Sequence, residues 1–209
     1  MYQDVEAYLE AAHLEQNPLI LELEQHGRKE DVPTASRSLG RLLSVLVHAM
    51  QANRILEIGT AYGYTTLWMA LAQPPAGKIW TFDPDIERTE VARSYFERSG
   101  VSEKIEVVNQ PALEVLPTFP QRNLDIVFID ADTEHYESYL EQVVPLLKLS
   151  GLVIMNRIFE PALLERPRRG EDETTATLRS FNDHFLSHPE LDSTIIPLAG
   201  GTGIGARKR

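Results

Sequence analysis

The sequence has no cysteine among its 209 residues, which excludes disulfide bonds and thiolate metal sites. No apolar run approaches the roughly 20 residues that a transmembrane helix needs. The N-terminal stretch MYQDVEAYLEAAHLEQNP is acidic and lacks the basic segment and apolar run of a secretory signal. We therefore expect a cytoplasmic protein without membrane association.

Positive charge is also scarce, since 20 Lys and Arg face 31 Asp and Glu, for a net charge of −11. An acidic surface repels phosphate backbones, so the net charge disfavours nucleic acid as a partner. Two short basic clusters, in ERPRRGE and in the terminal ARKR, are interpreted as solvated surface. They keep a nucleic-acid partner open as an alternative.

The hydrophobic pattern alternates between helical and strand periods along the whole chain, which is typical of an α/β protein. It predicts helices over residues 2–26, 37–51, 64–73, 86–99, 112–116, 136–147 and 173–187. It predicts strands over residues 54–59, 77–83, 104–109, 124–130, 151–156, 193–198 and 203–209. Helices separate the first five strands, which favours a seven-stranded, mostly parallel sheet with helices on both faces and a C-terminal antiparallel hairpin. We expect one domain over 1–209.

Chemistry-bearing residues follow the strands of this predicted sheet. Gly59 and Gly63, in EIGTAYGYTT, come after the first strand, and Asp83 comes after the second. Asp130 follows the fourth strand and Asn156 the fifth. Ligands bind beyond the carboxyl ends of parallel strands, and a carboxylate there can accept ribose hydroxyls. The pattern predicts a nucleoside-binding crevice, although G-x-x-x-G differs from the dinucleotide fingerprint and makes NAD less favoured.

With these motifs, the chain resembles the class I S-adenosylmethionine-dependent methyltransferases, and more narrowly the catechol and caffeoyl-CoA O-methyltransferases. The resemblance rests on VPTASRSLGRLLSVLVHAMQANRILEIGTAYGYTTLWMA, GKIWTFDPD, LDIVFIDAD, HYESYLEQVVPLLKLSGLVI, EDETTATLRSFNDHF and GIGARKR, and so covers nearly the whole chain. It implies a Rossmann-like methyltransferase fold, in which helices of residues 1–51 cover the cofactor cleft. It also implies a homodimer.

The resemblance assigns cofactor-binding residues by position. The residues it implies around S-adenosylmethionine are Ala35, Glu57, Gly59, Tyr62, Gly63, Thr65, Asp83, Pro84, Ala112, Leu113 and Asp130. Among them, Asp83 would hold the ribose, and Asp130 would reach the amino group of the cofactor. Ala112 and Leu113 would contact the adenine on the side opposite Pro84, and the backbone near Ala35 would close over the carboxylate.

The sequence departs from this family at its metal site. The resemblance implies a divalent cation held by three side chains, two of which match Asp130 and Asn156. The third is an Asp immediately before the Asn, and here that residue is Met155, in LVIMNRIF. A thioether is a poor ligand for Mg²⁺, which prefers hard oxygens. We therefore expect the site to hold Mg²⁺ weakly or not at all.

The residue that removes the acceptor proton is also altered, because the Lys that the family carries in DADK is Thr133 here. The remaining candidates for catalysis are Asp130 and His135, since a histidine can act as a general base near neutral pH. His184 and His188 have i,i+4 spacing compatible with a metal pair, but the sequence suggests no third ligand.

The sequence predicts an O-methyltransferase that acts on a hydroxyl of a small molecule and has a degenerate metal site. Two alternatives stay open. One is a methyltransferase that modifies tRNA, and the other is a non-catalytic nucleoside-binding homologue.

Overall fold

The computed structural model describes residues 5–14, 17–32, 34–166 and 172–208. Its helices are α1 (Val5–Ala12), α2 (Pro18–Lys29), α3 (Arg37–Met50), α4 (Tyr64–Ala72), α5 (Ile86–Arg98), α6 (Ala112–Val115), α7 (Tyr136–Val143) and α8 (Glu173–Ser187). Its strands are β1 (Arg54–Ile58), β2 (Lys78–Phe82), β3 (Ile105–Val108), β4 (Leu124–Ile129), β5 (Leu147–Met155), β6 (Leu191–Ile196) and β7 (Thr202–Arg207). The chain divides into two compact units, residues 1–111 and 112–209.

The first unit contains the parallel strands β1, β2 and β3. β2 pairs with both others, in registers that include Ile55 opposite Ile79 and Ile79 opposite Ile105. β1 and β2 are buried from their second residue onward, as parallel strands covered on two faces should be. Asp83 and the glycine turn follow the buried ends of these two strands.

The N-terminal region forms two helices in the described residues, so the single predicted helix over residues 2–26 is wrong. α1 ends at Ala12, and α2 begins at Pro18. Proline lacks an N–H and clashes with the preceding turn inside a helix, whereas it suits a first position. Asn17 caps α2 by accepting a hydrogen bond from the Leu19 N–H at 3.0 Å. Residues 2–4 lie outside the described residues.

The helix α3 begins at a side-chain N-cap. The Ser36 hydroxyl accepts a hydrogen bond from the Leu39 N–H at 3.3 Å. Leu39, Leu43 and Val47 bury one face of the helix. A Cβ at Gly40 would come within 2.4 Å of the indole nitrogen of Trp68, so glycine allows α3 to lie close against α4.

The second unit contains β4 and β5 in parallel, followed by β7 and β6 in antiparallel pairing. All six residues of β4 are buried. β5 begins at Leu147 rather than at Gly151, and α7 ends at Val143 rather than at residue 147. Both corrections have one cause: the short 3₁₀ turn Val144–Leu146, which contains Pro145, follows the helix, and the chain then runs directly into the strand.

The strand order is β3-β2-β1-β4-β5-β7-β6. This order and the antiparallel terminal pair confirm the predicted Rossmann-like methyltransferase fold, a seven-stranded, mostly parallel α/β sheet. That residues 1–209 form a single domain stays a prediction. In the part of the chain that the structure describes, no helix is both long and apolar enough to cross a membrane.

Candidate active site

The turn after β1 depends on two glycines with positive φ. Gly59 has a φ of 100° and Gly63 a φ of 78°, angles that side-chain-bearing residues rarely adopt. The Gly59 N–H donates to the Phe82 carbonyl at 2.9 Å, and the Gly63 N–H donates to the Thr60 carbonyl at 2.7 Å. Gly63 is the N-cap of α4, so the turn leads directly to the free N–H groups of a helix start.

Glu57, the last but one residue of β1, is fully buried directly before this turn. Its carboxylate accepts hydrogen bonds from the hydroxyls of Thr65 and Thr81, each at 2.6 Å, and from that of Thr66. These bonds offset the cost of burying a carboxylate. Thr66 ends the EIGTAYGYTT motif but was not predicted to bind Glu57, and Thr81 lies opposite Glu57 only through the register of β1 with β2.

Asp83 is tied to the same turn. Its Oδ2 accepts a hydrogen bond from the Ala61 N–H at 2.8 Å, and its Oδ1 accepts one from the Asp85 N–H at 2.9 Å. A carboxylate has about four lone-pair positions, so both oxygens can still accept a hydroxyl. The side chain of Asn109 donates to the Asp83 carbonyl at 3.1 Å and fixes the backbone there. The sequence did not single out Asn109.

A polar cavity of about 170 Å³ lies beside α2 and α3 in the first unit. Its lining includes Ala35, Glu24, Arg37 and Tyr64. Burial alone would raise the pKa of Glu24, but hydrogen bonds from Arg37 and Tyr64 outweigh it and hold that pKa below its usual range. Burial and the hydrogen bond to Glu24 raise the pKa of Tyr64. Ala35, predicted near the cofactor, therefore lines a cavity together with charged side chains.

The other predicted cofactor residues differ in exposure. Tyr62 is half-buried and lies against His26, with ring centroids 5.0 Å apart. Pro84 is exposed. In the second unit, Ala112 is buried and Leu113 half-buried in the first turn of α6.

In the second unit, Asp130 and Asn156 lie together, as predicted. Asn156 Nδ2 donates to Asp130 Oδ2 at 3.0 Å. The Asn156 backbone is held on both sides, because its N–H donates to the Ile129 carbonyl and its carbonyl accepts from the Tyr136 hydroxyl at 2.9 Å. Burial, and then the charge of Asp130, raise the pKa of Tyr136, so that hydroxyl stays a donor.

The sequence missed the partner of Asp130. Arg157 Nη2 lies 2.6 Å from Asp130 Oδ1. The contact is an ion pair rather than an aligned hydrogen bond, because Oδ1 has no hydrogen-bond donor among the described residues. Arg157 directly follows Asn156 in LVIMNRIF, but nothing in that stretch indicates that its side chain pairs with Asp130.

These residues do not fit the divalent cation that the family resemblance implies. Met155 is fully buried and offers no oxygen. The Asn156 amide presents its nitrogen, not its oxygen, to Asp130. The guanidinium already stands against the same carboxylate, and two unit charges of like sign about 4 Å apart near a protein surface repel by about 4 kcal/mol.

His135 lies at the start of α7 and is half-exposed. Its Nδ1 is hydrogen-bonded to Asp132 Oδ2, and Asp132 Oδ1 accepts the Tyr139 hydroxyl at 2.9 Å. A carboxylate accepts only, so the neutral ring carries its hydrogen on Nδ1 and leaves Nε2 as a proton acceptor. Burial and the bond to Asp132 raise the pKa of Tyr139, which keeps this donor protonated.

A third ligand position does lie beside the histidine pair of α8. Glu141, from α7, approaches His184 Nε2 at 2.7 Å and His188 Nε2 at 3.5 Å. However, His188 Nδ1 accepts a hydrogen bond from the Glu190 N–H, so the neutral ring carries its hydrogen on Nε2. In that tautomer the Nε2 nitrogen carries a hydrogen, faces the Glu141 carboxylate at 3.5 Å and has no free lone pair for a metal.

The fold, together with the glycine turn and Asp83, defines a Rossmann-like methyltransferase. The sequence profile of the O-methyltransferase family matches residues 10–208. The chain belongs to this family, which confirms the class I S-adenosylmethionine-dependent O-methyltransferase that the sequence predicts.

Particular relatives agree with this assignment. A catechol O-methyltransferase of Mycobacterium tuberculosis is 31% identical over 202 residues, which cover 96% of this chain and 91% of the relative. A caffeoyl-CoA O-methyltransferase of Nicotiana tabacum is 29% identical over 178 residues, which cover 80% and 74% of the two chains.

A solved structure points the same way. The O-methyltransferase of Streptomyces achromogenes involved in tomaymycin synthesis, in complex with S-adenosylmethionine, has a TM-score of 0.85 at 26% identity, covering 98% of this chain and 96% of that one. The comparisons lend no support to a tRNA-modifying enzyme or to a non-catalytic homologue.

Proposed function

We propose that this protein transfers the methyl group of S-adenosylmethionine to a hydroxyl of a small molecule. The observation that carries the proposal is the joining of Asp83 to the glycine turn through the Ala61 N–H at 2.8 Å. This contact sets an acceptor of hydroxyl hydrogen bonds beside a backbone turn whose positive φ angles at residues 59 and 63 favour glycine. Such a pair suits a ribose and the chain that continues from it.

In this proposal, residues of the first unit hold the donor. Asp83 binds the ribose hydroxyls, and Gly59, Gly63 and Tyr62 let the methionine moiety approach the backbone. Glu57 acts through Thr65, because its buried carboxylate holds that hydroxyl at 2.6 Å. Pro84 lies along the adenine, and the backbone of Ala35 closes over the carboxylate. In the second unit, Ala112 and Leu113 contact the adenine, and Asp130 accepts from the amino group.

Methyl transfer requires the protein to supply only alignment of the reacting atoms and an acceptor for the hydroxyl proton. S-adenosylmethionine supplies an activated methyl group when it is bound. The acceptor oxygen forms a new bond to the methyl carbon while the carbon–sulfur bond breaks and leaves its electron pair on sulfur, which gives S-adenosylhomocysteine. The hydroxyl proton goes to His135 Nε2, whose ring Asp132 and Tyr139 hold in place. Alignment of the two reacting atoms supplies most of the remaining rate.

The acceptor class and the setting complete the proposal. The catechol and caffeoyl-CoA names of the relatives support a phenolic hydroxyl as the acceptor. The net charge of −11 disfavours nucleic acid. We also propose a cytoplasmic homodimer, on the resemblance and on the lack of cysteine. Analytical ultracentrifugation tests the dimer, and a monomer over the working concentration range would refute it.

Calorimetric titration with S-adenosylhomocysteine tests the donor site. The wild-type protein should bind it, and Asp83→Ala should bind about 10- to 100-fold more weakly, because two charge-assisted hydrogen bonds are lost. Asp192→Ala, which removes an equal charge from an exposed position on β6, is the matched control and should bind normally. No binding by a folded wild-type protein would refute the proposed function.

A further inference from the structure

The ion pair of Arg157 and Asp130 fills the position where the family resemblance implies a metal. The Arg157 guanidinium approaches Asp130 Oδ1 at 2.6 Å, while the Asn156 amide nitrogen binds Oδ2 at 3.0 Å. Both oxygens of this carboxylate therefore already face positive or hydrogen-bearing groups. A divalent cation would have to displace the arginine to reach either of them.

The backbone that carries Arg157 is constrained. Arg157 has a φ of 54°, in the left-handed region that a residue with a side chain adopts only when its surroundings hold it there. The next two residues are fixed by the turn between β6 and β7, since the Ile158 and Phe159 N–H groups donate to the carbonyls of Gly201 and Gly200 at 3.1 and 2.9 Å. Asn182, on α8, donates to the Ile158 carbonyl at 2.8 Å. These contacts hold the backbone that carries the arginine next to the end of β5.

The same cluster leaves groups that a ligand can use. About half of the Arg157 side chain is exposed, at 48%, so guanidinium N–H groups remain accessible. Asn156 is 1% exposed, yet its Oδ1 has no hydrogen-bond partner among the described residues. A buried acceptor without a donor is costly unless a bound molecule supplies the hydrogen. The cluster thus offers donors for an oxyanion and one acceptor for a hydroxyl.

We propose that Arg157 takes the place of the divalent cation: it neutralises Asp130 and binds an oxyanion of the acceptor molecule, so that methyl transfer by this chain needs no divalent metal. The inference rests on the proposed function for its acceptor, but not for its statement about metal. The acceptor it favours carries a phenolic hydroxyl beside a second oxygen that is ionised, as a phenolate or as a carboxylate.

The first experiment measures metal binding without any turnover. Titration of Mn²⁺, followed by its electron paramagnetic resonance signal, should show no binding by the wild-type protein at millimolar concentration. The double variant Met155→Asp/Arg157→Gln restores a carboxylate and removes the competing charge, and should bind at least about tenfold more tightly. Wild-type binding as tight as that of the double variant would overturn the proposal.

The second experiment measures methylation in the presence of EDTA or of Mg²⁺. The wild-type rate should be the same in both, and a rate that EDTA abolishes and Mg²⁺ restores would overturn the proposal. Arg157→Gln should raise the KM for the acceptor about tenfold, while Arg157→Lys, which keeps the charge, should recover part of the loss. Arg122→Gln, at an exposed arginine before β4, is the control and should leave the KM unchanged.

Two acceptors separate the sources of the oxyanion. A KM effect of Arg157→Gln with 2-hydroxybenzoate alone identifies a carboxylate as the partner, and an effect with catechol as well identifies a phenolate too. An unchanged KM with both overturns the proposal. S-adenosylhomocysteine is titrated on the same samples. Absence of its binding would refute the proposed function, while the Mn²⁺ result still decides whether Arg157 excludes a cation.

Discussion

The guanidinium of Arg37 forms two hydrogen bonds with the carboxylate of Glu24, Nη2 to Oε2 at 2.6 Å and Nε to Oε1 at 3.1 Å. The pair connects the start of α3 to α2, and the Tyr64 hydroxyl of α4 adds a third bond to Glu24 at 2.8 Å. The side chains of Arg37 and Glu24 are only 16% and 9% exposed. At a buried ion pair, removing one charge lowers the free energy of unfolding more than removing both, because one charge is left buried without its partner.

Arg37→Met should therefore lower the free energy of unfolding by about 3 kcal/mol, because it leaves the Glu24 charge buried without its cation. The double variant Glu24→Met/Arg37→Met should lose less than Arg37→Met alone. Urea denaturation of the wild type, both single variants and the double variant measures the coupling. Purely additive losses would show that the two side chains do not stabilise each other.

The same pair predicts a dependence of stability on pH. The folded state holds the pKa of Glu24 below its usual value, so the pair stabilises fully above the unfolded pKa of about 4.3 and is lost as pH falls through the folded pKa. The difference in unfolding free energy between the wild type and Glu24→Gln should shrink as pH falls below about 4. A difference that stays constant down to acid unfolding would contradict the assignment.

The glycine turn can be tested with a matched pair of substitutions. A Cβ at Gly63 would lie 2.5 Å from Phe96 Cζ, and φ is 78°. Gly100 has a similar φ of 69° with nothing within 4 Å, so Gly100→Ala should cost only the backbone strain of about 1 kcal/mol. Gly63→Ala should cost about 2–4 kcal/mol, because overpacking is added. If both variants lose the same free energy of unfolding in urea denaturation, the Phe96 side chain moves aside without an energetic cost and the prediction is wrong.

Glu57 should matter for both stability and donor binding. In the wild type, threonine hydroxyls donate to the Glu57 carboxylate. Glu57→Gln keeps the shape of the side chain but places an amide NH₂, itself a donor, against one or more of these hydroxyls. This mismatch should lower the free energy of unfolding by about 1–3 kcal/mol. Because the Thr65 hydroxyl loses its anchor, binding of S-adenosylhomocysteine should weaken too. Glu106→Gln, at an exposed position of β3, is the control for calorimetry and denaturation. Wild-type stability in Glu57→Gln would refute the role of this cluster.

The proposed base predicts a specific kinetic change. His135→Gln should lower kcat about 10²- to 10⁴-fold, the usual contribution of a general base, with little change in KM. Tyr139→Phe removes only the hydroxyl that holds Asp132, and should lower kcat less. His48→Gln, on the exposed face of α3, is the control. An unchanged kcat in His135→Gln would assign the proton transfer to another group or to water.

Much of the fold follows from local sequence. The apolar run of residues 126–129 in β4 indicated a buried strand, and Ser36 and Asp85 have the short polar side chains that suit the N-caps of α3 and α5. Gly59, Gly63 and Asp83 were found because the conformation of a tight turn and the end of a strand depend on residues close in sequence. The break between α1 and α2 was available at Pro18 and was missed, since the helical period continues across it.

The partners of the key side chains were not available in this way. Thr81 reaches Glu57 because β2 lies beside β1 in one register, and Glu141 reaches His184 only because α7 lies near α8. Arg157 is adjacent to Asn156 in sequence, yet its ion pair with Asp130 depends on the left-handed turn after β5. Strand register and helix packing decide which of these residues come into contact. The hydrophobic periodicity of the sequence does not specify either of them, so these contacts could not be predicted. Sequence patterns thus indicate the family and the glycine turn with Asp83, whereas three-dimensional packing sets the charge that faces Asp130.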